Sequence, residues 1–154
     1  MKIKAKTTPK KSMIRIVVLV LAVLIAFPFL YPVVAPYKSV EQMKDYHGIT
    51  TGTIVSVTVS NMGITGTKTT DSEILEQWNS FIKEAKYKPK CIFICGTKPN
   101  WVKIVMSTGE KYFFERWPYF ENGHYLYQFD DPESAKKLFD LVLHDPKGID
   151  DSWK

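Results

Sequence analysis

The sequence predicts an α+β protein: an N-terminal transmembrane helix followed by a single antiparallel sheet, in ββαββββα order, with two helices on one face of that sheet. Three observations carry this expectation. An uncharged apolar run fills residues 16–36. Two later segments repeat apolar residues at helical spacing, and the stretches around them alternate apolar with polar residues between turn signals, as strands do. The boundaries that follow are a basic leader over 1–15, the apolar span over 16–36, a juxtamembrane segment over 37–50, the α+β domain over 51–145 and a loosely held tail over 146–154.

About 20 apolar residues at 1.5 Å rise cover the roughly 30 Å hydrocarbon core of a bilayer, so the run is long enough to cross it. Pro28, Pro32 and Pro36 interrupt its second half. They predict a regular helix to about Phe27 and a kinked or fraying exit beyond it. Lys2, Lys4, Lys6, Lys10, Lys11 and Arg15 precede the run, whereas Lys38 and Lys44 after it are matched by Glu41 and Asp45. This bias predicts a cytoplasmic N-terminus and a C-terminal domain outside the membrane, with Lys10, Lys11 and Arg15 as the membrane flank. The competing reading is a cleaved secretory signal. Its one small-residue site at a suitable distance, Val33-Val34-Ala35, is followed by Pro36, which blocks processing, so an uncleaved signal-anchor is expected.

Ser39-Val40-Glu41-Gln42 has capping-box spacing and Gly48 ends the pattern, which predicts a short juxtamembrane helix. Val55, Val57 and Val59 alternate with Ser56, Thr58 and Ser60 in a half-buried strand, and Asn61-Met62-Gly63 turns it back into a second strand ending near Thr69. Thr70-Asp71-Ser72-Glu73 is again a capping box. Behind it Ile74, Leu75, Trp78, Phe81, Ile82 and Ala85 define the clearest helix of the domain, ended by Lys86-Tyr87-Lys88-Pro89. Cys91 to Cys95 reads as a strand in which two free thiols on one face lie about 13 Å apart, too far for a disulfide.

Trp101 to Met106 and Glu110 to Trp117 form a hairpin whose register decides which residues are inside. A three-residue turn with Gly109 left-handed sets Val102, Ile104 and Met106 beside Phe114, Tyr112 and Glu110, which segregates the apolar residues. The other face then carries Trp101, Lys103, Val105, Lys111, Phe113, Glu115 and Trp117. Pro118 to His124 reads as a loop and Tyr125 to Phe129 as the last strand. Asp130-Asp131-Pro132-Glu133 opens a helix with an acidic N-cap and Pro at its first position, and Ala135, Leu138, Phe139 and Val142 form its stripe. Asp150-Asp151 reads as a solvated part of the tail.

This order, a helix, four strands and a helix preceded by a hairpin, resembles the TBP-like saddle architecture over the whole outer domain. Together with the short N-in anchor it also resembles small membrane-tethered proteins of low-GC Gram-positive bacteria with a TBP-like outer domain. The resemblance rests on element order and carries over no functional residue.

Charge excludes the nucleic-acid role such a saddle implies. Six of the 21 basic residues and none of the 16 acidic ones lie in residues 1–15, so the remainder holds 15 basic against 16 acidic. The domain has no cationic footprint for a phosphate backbone. His47, His124 and His144 lie far apart and outside any metal-ligand, nucleophile-elbow or phosphate-loop pattern, so no catalytic residue, metal ligand or cofactor is assigned. What stands out is the aromatic stretch from Tyr112 to Phe129. Part of it must build the core, yet helices on one side of a sheet cannot cover both faces. The expected site is therefore the outer face bearing Trp101, Lys103, Lys111, Phe113, Glu115 and Trp117, the composition of a protein-binding hot spot. The expectation is a non-enzymatic, single-pass extracytoplasmic domain whose partners are the lipid bilayer and a protein or envelope component. The alternative is a tethered immunity or inhibitor protein that neutralises a toxin or an envelope-attacking enzyme.

Overall fold

The computed structural model describes residues 10–92, 100–122 and 125–152. A long apolar helix, α1 (Lys10–Val34), leads into an α+β domain built on two antiparallel sheets rather than one. The strands are β1 (Lys38–Ser39), β2 (Ile54–Asn61), β3 (Thr65–Thr69), β4 (Lys86–Ile92), β5 (Asn100–Met106), β6 (Lys111–Glu115), β7 (Tyr119–Asn122), β8 (Tyr125–Phe129) and β9 (Ile149–Ser152). The helices of the domain are α2 (Ser72–Glu84) and α3 (Pro132–Leu143). One sheet has the order β6-β5-β2-β3-β9 and the other β1-β4-β8-β7.

The single-sheet expectation fails at a corner. β5 and β6 are joined by a tight turn, and their register is the one that segregates apolar residues: Val102 opposite Phe114, Ile104 opposite Tyr112, and Gly109 at φ +88°. At the end of β6 the carbonyl of Asn100 accepts from both the Arg116 and the Trp117 N–H groups, and Arg116 is left-handed at φ +67°. Two residues thus oppose one, a bulge that ends pairing and redirects the chain into the second sheet. Tyr119 N–H bonds back to Arg116 O, and β7 starts where a loop was expected.

Other departures have local causes. The segment expected to stop the first domain helix, Lys86 onward, is already β4, with a register irregularity at Pro89, which has no N–H to offer the ladder. The N-cap of α2 is Asp71, whose side chain accepts from Glu73 N–H, one residue beyond the expected Thr70. The juxtamembrane segment makes two 3-10 turns, Val40–Gln42 and Lys44–Tyr46, because Met43 between them is extended. Cys91 pairs through its backbone position with Leu126, while Cys95 and His124 lie outside the described residues.

The span also differs at its exit. α1 continues through Pro28 and Pro32 to Val34, and its last turns lie against β4, with the Tyr31 ring 5.2 Å from that of Tyr125. Its segment Met13–Val34 is uncharged except for Arg15, has a mean hydropathy of 2.8, and is long and apolar enough to cross a membrane. The expected fraying is absent because the helix end is seated against the domain rather than left in solvent.

The core lies between the two sheets and the helices. Val57, Val59, Val102, Ile104 and Phe114 enter it from one sheet, and Tyr87, Phe120 and Phe129 from the other. α2 and α3 pack side by side against β2 and β3, contributing Trp78, Ile82, Ala135 and Phe139. Tyr46 wedges in from the juxtamembrane turns, its ring stacked 4.4 Å from Phe114 and its hydroxyl donating to Phe113 O at 2.7 Å.

Candidate binding face

The outward face of the five-stranded sheet begins with the cross-strand pairs Trp101–Glu115, Lys103–Phe113 and Val105–Lys111, in the register expected. Beyond β5, Ser60 lies opposite Trp101 and Thr58 opposite Lys103. These residues share a face, but they are not an open aromatic patch. Trp101 and Lys103 are each only 5 % exposed. Lys111 is exposed, and Phe113 and Glu115 are half-buried.

Lys103 is covered because the tail is a strand. β9 pairs with β3 over Thr65 to Lys68, bringing Asp151 opposite Gly66. With no side chain at Gly66 to block it, the Asp151 carboxylate reaches back across β3, sits 2.6 Å from Lys103 Nζ and accepts from Thr58 Oγ1 at 2.9 Å. This pairing corrects the reading of Asp150-Asp151 as a solvated tail. Substitution at Gly66 has no room, since a Cβ there would lie 2.3 Å from Val59 O.

Trp101 is committed to the β2–β3 turn. Its indole N–H donates to Gly63 O at 2.6 Å, which ties the turn to the sheet. On either side of Gly63, Met62, left-handed at φ 62°, and Ile64 stand 77 % and 83 % exposed. Sequence reasoning passed over this pair as turn residues. The available signal was chemical: turns favour small and polar residues, and here a Gly is flanked by two large apolar ones.

Trp117 leaves the face altogether. The Arg116 bulge reverses the alternation, so Trp117 is 2 % exposed in the core, 5.1 Å from the Trp78 ring and 5.0 Å from Phe129, with its indole N–H donating to Ala135 O at 2.7 Å. Of the membrane flank, Lys10 and Lys11 fall in the first turn of α1, and Arg15 is exposed on the helix.

Beside β6 lies a recess of about 380 Å³ lined by Asp45, Tyr46, Lys111, Tyr112, Phe113 and Glu115. Burial, helped by Asp45 and Glu115, raises the Tyr46 hydroxyl well above the ordinary tyrosine value. Burial and then Glu110 push Tyr112 up to about 12. Both phenols are therefore neutral at physiological pH and serve as hydrogen-bonding groups. His47 lies 3.4 Å from Glu41 Oε1, and His144 Nδ1 is 2.9 Å from Asp140 O, each within its own segment. Among the described residues no group of three or more His, Cys, Asp or Glu side chains is placed to hold a metal ion.

Comparison with protein-family models, with curated proteins and with solved structures finds no match to this chain.

Proposed function

We propose that the chain is a single-pass membrane protein with its N-terminus in the cytoplasm, whose outer α+β domain is a non-enzymatic module that captures a protein or envelope component. The observation that carries this reading is the β2–β3 turn. Among the described residues outside α1, Met62 and Ile64 are the most exposed large apolar ones, yet the turn that bears them is tied to the sheet by the Trp101 indole. A rigidly mounted apolar pair loses little conformational freedom on binding, which is what a hot spot requires. Glu115, opposite Trp101, lies at the same end of the sheet surface, and Phe113 and then Lys111 continue that surface away from the turn along β6. The span of α1 supplies the membrane location, and the leader's basic excess supports the orientation.

The test uses the full chain in detergent micelles as bait for the producing cell's secreted and envelope proteins. Replacing Met62 and Ile64 together by Ser abolishes capture and leaves the thermal midpoint within a degree or two, since neither side chain contributes to the core. Capture that survives this change but is lost on Phe113→Ser would move the site to β6. Capture that survives both overturns the reading.

A further inference from the structure

A cleft of about 330 Å³ opens where α1 meets the outward side of β4. Its apolar floor is Pro32, Val33 and Pro89, and Tyr37, Lys88 and Lys90 form its rim. We propose that this cleft seats the phosphate of an anionic phospholipid, in the leaflet from which α1 emerges at Val34. The proposal rests on α1 crossing a bilayer.

Position comes from the helix. Arg15 is the last charge before the apolar run, and with its guanidinium in one headgroup layer the hydrocarbon core begins at Ile16. About 20 residues on, at 1.5 Å each, a 30 Å core ends near Ala35, just past the end of α1 at Val34. Pro32 and Val33 therefore lie just inside that boundary, beside the upper acyl chains. Tyr31 meets Tyr125, which pairs with Ile92, and Lys38 pairs with Tyr87, so β4 runs antiparallel to the chain leaving the helix, and Lys90, then Lys88, come progressively farther out, across the boundary toward the phosphates.

Chemistry comes from the rim. Each ammonium leans on an aromatic ring: Lys88 Nζ is 5.0 Å from the Tyr37 centroid, and Lys90 Nζ is 4.5 Å from that of Tyr119 and 3.1 Å from its hydroxyl. These contacts hold two cations over one cleft at little further entropic cost, and Lys88 offers a phosphate its ammonium donors while Lys90 offers those left beside its bond to Tyr119. Tyrosine suits this depth, with an apolar ring and a wet hydroxyl. The one acid on the lining, Asp130, is turned to the backbone, accepting from the Lys86 and Asp131 N–H groups at 3.1 Å each. The cleft thus presents cations outward and apolar surface toward the acyl chains, the order in which a phospholipid presents its own groups.

The experiment measures lipid retained by the full chain, by native mass spectrometry from micelles doped with phosphatidylglycerol or phosphatidylcholine. The intact chain retains phosphatidylglycerol preferentially. Lys88→Gln with Lys90→Gln lowers that retention by about 25-fold, two lysines each contributing about fivefold at an anionic surface. Lys88→Arg with Lys90→Arg keeps it, which separates loss of charge from loss of fold. Equal retention of both lipids overturns the proposal. So does a similar loss from Lys83→Gln with Lys137→Gln, which removes the same charge from α2 and α3, or displacement by millimolar inorganic phosphate, which would mark a site for a soluble anion. α1 keeps every variant in the bilayer, so nanodisc incorporation reads the anchor separately.

Discussion

Trp78 and Trp117 touch in the core, each almost fully buried, and they differ in one atom's surroundings. The Trp117 indole N–H donates to Ala135 O, whereas that of Trp78 meets no partner among the described residues. A buried donor without a partner has already lost its water, so removing it costs nothing in hydrogen bonding, while removing a paired one strands a carbonyl. Trp117→Phe should therefore destabilise the protein by about 1–2 kcal/mol more than Trp78→Phe. Urea denaturation of the full chain in micelles checks this; equal losses would mean that the two rings contribute through packing alone. The same residue explains the largest error in the expected site. Trp117 was assigned to the outer face by strict alternation along the strand, and alternation holds for Lys111, Phe113 and Glu115. It ends at Arg116, a non-glycine residue in the left-handed region, which no composition or spacing signal marks.

At the scale of elements, one carboxylate closes the loop from Glu41 to Thr50 on itself. Glu41 accepts from Thr50 Oγ1 at 2.6 Å, Gly48 N–H at 2.8 Å and Thr50 N–H at 3.2 Å. The Thr50 hydroxyl first, then the Gly48 amide, holds its carboxyl below the ordinary glutamate value. Because the folded value is the depressed one, the stabilisation is complete above the ordinary glutamate range and is lost as pH falls through the folded value. Exchange protection of the Gly48 and Thr50 amides, relative to their intrinsic rates, should fall in that acidic window and should not change there in Glu41→Gln; a wild-type profile without the drop would remove Glu41 as the clasp. Elements of this kind divide by legibility. The β2–β3 and β5–β6 hairpins, α2 and α3 were readable because periodicity and turn chemistry are local. The division into two sheets was not, because it depends on β4 pairing with β8, from Ile92 opposite Tyr125 to Tyr87 opposite Phe129, partners distant in sequence, and on a bulge. The 3-10 turns were unreadable for the same reason: Tyr46 is positioned by Phe114 and Phe120, not by its neighbours in the chain.

For the whole molecule, α1 is joined to the domain by packing as well as by the chain. The prolines predict a kinked or fraying exit, whereas the continuous helix lies against β4, so that the proposed membrane span would hold the domain at a set tilt and height. The candidate site was legible in register and unreadable in exposure. Lys103 and Trp101 do lie on the outward face, and what covers them comes from β9 and the β2–β3 turn, contacts that no strand pattern encodes. β9 has one more consequence. It is a four-residue edge carrying Asp150 and Asp151, laid along β3, whose sequence Thr-Gly-Thr-Lys-Thr is flat and hydrogen-bond hungry. Charged, short edges resist strand addition, and bare β-edges invite it. If α1 crosses a bilayer as proposed, copies confined to that plane meet far more often than copies in solution, and a bare β3 edge there would be a standing liability. A chain ending at Gly148 should run as larger species than the intact chain in size-exclusion chromatography of micelles, and an unchanged size would assign β9 no such duty. β9 thus occupies the backbone edge of β3 with which a second copy would otherwise pair.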